Sequence, residues 1–167
     1  MFTSIIFPAV LILATLLCGL VAGLLFAFAI VTMPGIKSLN NGEFIRAFQV
    51  MDGVIQNNQP LFMLVWVGSA VALLLAVVLG FGQIDLAGKS ILLTAAGLYL
   101  FGVQLPTGMI HVPLNNQLQT VDVGKMSASA QAEARLHFEP RWTRWNRIRT
   151  AVSILVTTLL SLLLFLL

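Results

Sequence analysis

Ile5-Ile-Phe-Pro-Ala-Val-Leu-Ile-Leu-Ala-Thr-Leu-Leu-Cys-Gly-Leu-Val-Ala-Gly-Leu-Leu-Phe-Ala-Phe-Ala-Ile-Val31 contains no Asp, Glu, Lys or Arg. A helix rises about 1.5 Å per residue, so about 20 apolar residues cross roughly 30 Å of hydrocarbon. Lipid offers no partner to a backbone amide, so such a run spans as a helix whose hydrogen bonds close on themselves. Two more runs, 61–81 and 90–112, are equally free of these residues, and a fourth, 148–167, carries a single one, Arg149, at its start. The sequence therefore predicts an all-α fold: a four-helix transmembrane bundle occupying 1–167 as a single domain, with short amphipathic helices in its two long connections.

Composition agrees. The chain is 59% hydrophobic and 9% charged, against about 25% charged in a soluble domain. The net charge is +3, but the cations flank the spans, which reads as topology or anionic-lipid contact and gives no reason to expect nucleic acid. The lone cysteine, Cys18, lies inside the first span and reads as a small buried hydrophobe. That span is far longer than the about 7–15 apolar residues of a signal peptide, so it is expected to be retained. Eight Lys or Arg follow spans one and three, and only Lys89 lies on the opposite side. The positive-inside rule then places the long connections in the cytoplasm and both termini outside, in a bacterial inner membrane.

The first span is expected to end near Met33-Pro34-Gly35, because proline disfavours helix in the residue before it. Gly19, Gly23 and Ala27 recur every fourth residue, a small-residue stripe suited to packing within the bundle or to a homo-oligomer or other membrane partner. In the first connection, Asn40 or Asn41 can cap a helix with Glu43 in its first turn. Phe44, Ile45, Phe48, Met51 and Ile55 give that helix an apolar stripe, with Asp52 largely off it. Asn57-Asn58-Gln59-Pro60 ends it. In the second connection a short helix is expected over 126–138, capped by Ser127 or Ser129. Pro140 should then open a separate last helix.

Two polar groupings could carry chemistry. Gln104, His111 and Asn115 are spaced seven and four apart, so a continuous helix would align them, although Pro106 and Pro113 interrupt it. Trp142, Asn146 and Arg149 share a face at the start of span four, with Trp145 beside them. Each grouping also has a plain structural reading. Gln104 and His111 could simply bond a neighbouring helix, and Trp142 with Arg141, Arg144 and Arg147 could form an interfacial belt. An Arg149 inside the bundle would need an acceptor, which Asn115, Asn116, Asp52 or Glu139 could supply. All lie on one membrane side, which points to a polar chamber under a helical lid for a hydrophobic small molecule. His111 and His137 have no metal-ligand spacing, so no metal site is expected. The residues assign no cofactor.

Gly23-Leu-Leu-Phe-Ala-Phe, Met33-Pro34-Gly35, Val112-Pro-Leu-Asn-Asn116 and Arg141-Trp-Thr-Arg-Trp-Asn146, with Arg149-Thr150 following, resemble the anthrone oxygenase-like family of small four-span membrane proteins. Most members have no assigned function. The resemblance implies oxidation of an anthrone to an anthraquinone, an oxidoreductase acting on an aromatic, anthrone- or quinone-type molecule drawn from the bilayer. Such chemistry needs a base and donors for a developing oxyanion. His111 is the expected base, with Arg149, Asn115 and Asn146 as donors and Trp145 stacking on the ring. Gln104, Asn116 and Asp52 complete the expected site. The alternative is a non-catalytic lipid- or quinone-binding subunit of a larger membrane assembly. A transporter ranks last, because intramembrane charge and an inverted repeat are missing.

Overall fold

Five long helices carry the chain in a computed structural model that describes residues 3–167: α1 (Ile5–Lys37), α2 (Asn41–Gln56), α3 (Pro60–Gly80), α4 (Leu86–Gln119) and α5 (Ala128–Leu166). All but α2 are long and apolar enough to cross a bilayer. Only 22–33% of the most apolar window of each span is buried inside the bundle. Leu64, Val78, Phe101, Met109 and Phe165 stand exposed on the outside. A water-soluble protein does not carry so continuous an apolar surface. This is a multi-pass membrane protein.

The buried faces follow the heptad spacing of closely packed helices. On α1 they are Phe7, Leu11, Ala14, Cys18, Val21 and Leu25. On α5 they are Phe138, Trp142, Asn146, Arg149, Ser153, Val156, Leu160 and Leu163. α1 packs on α3 and α5, and α4 packs on α5. α3 and α4 are joined by the short turn 81–85 and stay linked through Ser69–Tyr99 at 2.6 Å and as far as Trp66–Gln104, and beyond Gln104 α4 stands away from α3.

Close approach depends on single glycines. A Cβ on Gly102 would lie 2.8 Å from Val152 Cγ1, and one on Gly80 would lie 2.5 Å from the Phe7 ring. The stripe singled out from sequence matters less. Gly19 has ordinary room beside Thr157, and Gly23 faces open space. Val152 is β-branched and has little rotamer freedom with which to yield. Gly102→Ala is therefore expected to cost about 1–3 kcal/mol by overpacking, read as a lowered unfolding midpoint in detergent, whereas Gly23→Ala should leave the midpoint unchanged.

Three expectations about helix ends need correction. α1 runs through Pro34 to Lys37, because a π-helical turn at Phe28–Thr32, with Met33 N–H donating to the Phe28 carbonyl, re-registers the backbone ahead of the proline. α4 likewise continues past His111 to Gln119, with Pro113 in the first turn after a π segment. Pro140 lies in the interior of α5 and opens no new helix. Leu136, whose carbonyl loses its donor to that proline, is exposed. Across the same turn Arg135 bonds Glu139 at 2.7 Å and donates to the Leu39 and Lys37 carbonyls at 2.9 Å each. That clamp ties α5 to the end of α1.

α2 lies across one end of the bundle. Asn40 and Glu43 form its capping box, and Asn58, at φ 57°, ends the turn towards α3. Its apolar side covers a second core formed with Met33, Leu114, Leu118, Phe138 and Trp142. Ser127 caps α5.

Candidate functional site

The site grows from two irregularities in α4. Pro106 has no N–H to give to the carbonyl four residues back, and the helix answers with π-helical turns on either side, Leu100–Gln104 and Thr107–His111. The changed register turns Gln104 aside, and its amide reaches the Trp66 carbonyl at 3.4 Å. Thr107, His111 and Asn115 instead point into one cavity. From α5 the face 142, 146, 149 enters the same space. Leu25 and Phe28 bound it on α1, Phe62 and Trp66 on α3, and Phe48 and Asp52 on α2. The cavity measures about 280 Å³, near the lower end of small-molecule sites. It lies where the two apolar cores meet, beneath the covering helix.

Arg149 dominates its electrostatics. It is 3% exposed. Its two terminal nitrogens donate to Thr107 Oγ1 at 2.7 Å and to Asn146 Oδ1 at 3.0 Å. Nε has no partner. None of the acceptors expected from sequence reaches it. Glu139 is paired with Arg135. Asn116 is exposed and accepts from Gln56 at 3.2 Å. Among the described residues the salt bridges are Lys125–Asp122 and Arg135–Glu139, so Arg149 has no carboxylate. A buried cation held only by neutral groups is costly, and it leaves positive potential for a ligand to meet.

His111 is equally buried, at 2%. Its Nδ1 lies 3.4 Å from the Pro106 carbonyl. A carbonyl only accepts, so Nδ1 carries the proton in that contact and Nε2 keeps its lone pair. Nε2 is buried without a partner. The ring meets Trp142 edge-on at 5.2 Å.

Asp52 is 4% exposed, which corrects its assignment to the polar side of α2. It occupies the step between Phe48 and Ile55 on the covered face, and three side-chain amides satisfy it: Asn115 at 2.7 Å, Gln56 at 2.8 Å and Gln119 at 2.9 Å. Asn115 in turn accepts from Trp142 Nε1 at 2.9 Å. Gln49 donates to the Leu118 and Val121 carbonyls at 2.7 and 2.9 Å. These bonds fasten α2 over the cavity and fix the Trp142 ring in its wall. Charge-assisted bonds to a buried carboxylate are the strong members of such a network.

The expected residues therefore sort by position. His111, Arg149, Asn115, Asn146 and Asp52 share the cavity. Gln104, Asn116 and Trp145 are not in its lining. Trp145 is half-buried one step round the helix, and Trp142, read from sequence as part of an interfacial belt, forms the wall. Asn146 Nδ2 is already engaged with the Leu25 carbonyl at 3.1 Å, and Asn115 Nδ2 with Asp52. Both asparagines therefore act on the site through the shape they hold. Thr107 was missed. Its hydroxyl donates to the Val103 carbonyl at 2.7 Å and accepts from Arg149. The available signal was its place four residues before His111, beside a proline.

A family model described as anthrone oxygenase matches residues 53–159, more than half of the chain. The match takes in His111, Trp142 and Arg149 and begins one residue after Asp52. No curated protein and no solved structure matches the sequence.

Proposed function

The chain belongs to the anthrone oxygenase family, and from that premise we propose that it oxidises a hydrophobic aromatic ketone of the anthrone type with molecular oxygen. One observation carries the reading: two buried, unpartnered nitrogens, His111 Nε2 and Arg149 Nε, belong to side chains lining the same cavity. One can accept a proton and the other can donate to an oxygen that gains charge, the pair of functions the reaction needs. His111 takes a proton from the ring methylene. The electrons left behind delocalise onto the ketone oxygen, which Arg149 holds as an enolate. The carbanion-like carbon adds oxygen, and loss of water leaves a second carbonyl. The balance is one methylene and one dioxygen to one carbonyl and one water.

The walls suit such a molecule. Trp142, Phe48 and Phe62 offer flat apolar surface, and the cavity reaches partly exposed Met63 and Val112, where α3 and the far half of α4 stand apart. A ligand dissolved in the bilayer can enter there sideways. In this reading the covered end is cytoplasmic. Lys37, Arg46, Lys125, Arg141, Arg144 and Arg147 are exposed there, against half-buried Lys89 at the other.

The test is oxygen uptake and anthraquinone formation by purified protein given an anthrone. Catalysed conversion that is weakened in Arg149→Ala is expected. Equal rates in wild type and variant remove the assignment. Binding of an anthrone or quinone with no turnover would favour the role of a non-catalytic binding subunit.

A further inference from the structure

The side of α5 turned away from the cavity carries a second site. A groove of about 770 Å³ runs between α1 and α5, lined on α1 by Ala29, Met33, Pro34 and Lys37. Pro140, Thr143, Arg144, Arg147 and Ile148 line it on α5, three and four residues apart on one helical face. Lys37, Arg144 and Arg147 are exposed, and none has a carboxylate partner among the described residues. The one acid in the lining, Glu139, is bonded to Arg135. The groove is therefore cationic and uncompensated.

Thr143 adds a second observation. Thr15, Thr107, Thr150, Thr157 and Thr158 each donate their hydroxyl to the carbonyl four residues earlier. Thr143 Oγ1 is buried and has no partner. The level of the groove completes the pattern. The uncharged run of α5 starts at Thr150, just after Arg149, and that of α1 ends at Ile36, just before Lys37. The cations thus stand at the headgroup boundary, with apolar Ala29, Met33 and Ile148 beside them.

We propose that this groove between α1 and α5 is a binding site for an anionic phospholipid, its phosphate held by Arg144, Arg147 and Lys37 with the Thr143 hydroxyl as a further donor, and an acyl chain lying along Met33 and Ile148. A basic recess between spans at headgroup depth recognises such lipids by charge and by the apolar surface that continues below. A soluble anion would use only the upper half of the groove. The proposal is independent of the reaction assigned to the cavity.

Native mass spectrometry of the full chain in detergent tests it, with phosphatidylglycerol and phosphatidylcholine of matched chains supplied together. Wild type should retain one phosphatidylglycerol, several-fold in preference to phosphatidylcholine. Arg144→Gln with Arg147→Gln should lower that retention by roughly tenfold or more, on the usual contribution of each cation near an anionic surface. Both side chains are exposed, so the fold should survive the change. Arg141→Gln, also exposed on α5 but outside the groove, should bind as wild type. Equal retention of the two lipids, an equal loss in Arg141→Gln, or displacement of the lipid by millimolar inorganic phosphate would each overturn the assignment.

Discussion

Arg149→Met is expected to make the protein more stable and to abolish the proposed turnover. The guanidinium is buried, lacks a carboxylate and keeps one nitrogen without a partner. Exchanging buried ionic groups for packed apolar ones has gained about 1–4 kcal/mol elsewhere. Thr107 keeps its bond to the Val103 carbonyl and Asn146 Nδ2 keeps its bond to the Leu25 carbonyl, while Asn146 Oδ1 loses its donor, a smaller cost than that of the uncompensated charge. The unfolding midpoint of the variant in detergent should therefore rise. Turnover should fall by about 10²–10³, the usual effect of deleting a donor to a developing oxyanion. The two readouts move in opposite directions only if the charge is kept for a ligand. A lowered midpoint with turnover intact would make Arg149 a structural residue.

His111→Phe should separate binding from chemistry. Phenylalanine has nearly the shape of histidine and can keep the edge contact that His111 makes with Trp142 at 5.2 Å. Removing an unpartnered buried nitrogen leaves no new polar atom stranded apart from the Pro106 carbonyl, whose contact was already long at 3.4 Å. Stability should change little. Loss of a positioned general base is expected to lower kcat by about 10²–10⁴, with KM and quenching of tryptophan fluorescence by a non-reactive quinone close to wild type. Turnover at the wild-type rate would take proton abstraction away from His111. Loss of quinone binding together with kcat would assign the ring to the shape of the cavity.

Several elements of this architecture were legible without coordinates because they depend on local rules. Apolar runs long enough to cross hydrocarbon, three of them without charge and the fourth with Arg149 alone at its start, set the four spans. Asn40 followed three residues later by Glu43 announced a capping box, and it forms. The spacing of Trp142, Asn146 and Arg149 placed them on one face, which is buried. Reading failed where the backbone departs from the ideal helix. A regular 3.6-residue period would carry Gln104 to the same side as His111, whereas the π turns around Pro106 rotate it towards Trp66. Proline was read as a helix end at positions 34 and 113 and as the opening of a new helix at 140, and in each case the helix runs through because neighbouring turns and side-chain clamps absorb the missing bond.

What the sequence determined by itself is the solvent of this protein and the number of times its chain crosses it. That decision needs only the presence or absence of charge over each stretch, and no contact between distant residues enters it. Which polar side chains meet was left to the tertiary structure. Asp52 could be read as a counter-ion for Arg149, yet amides from α2 and α4 surround it and the arginine remains without an acid. Partner choice among buried polar groups depends on distances between helices far apart in sequence and on small rotations of each helix. A single π turn changes those rotations enough to give one residue to the cavity and another to a neighbouring backbone.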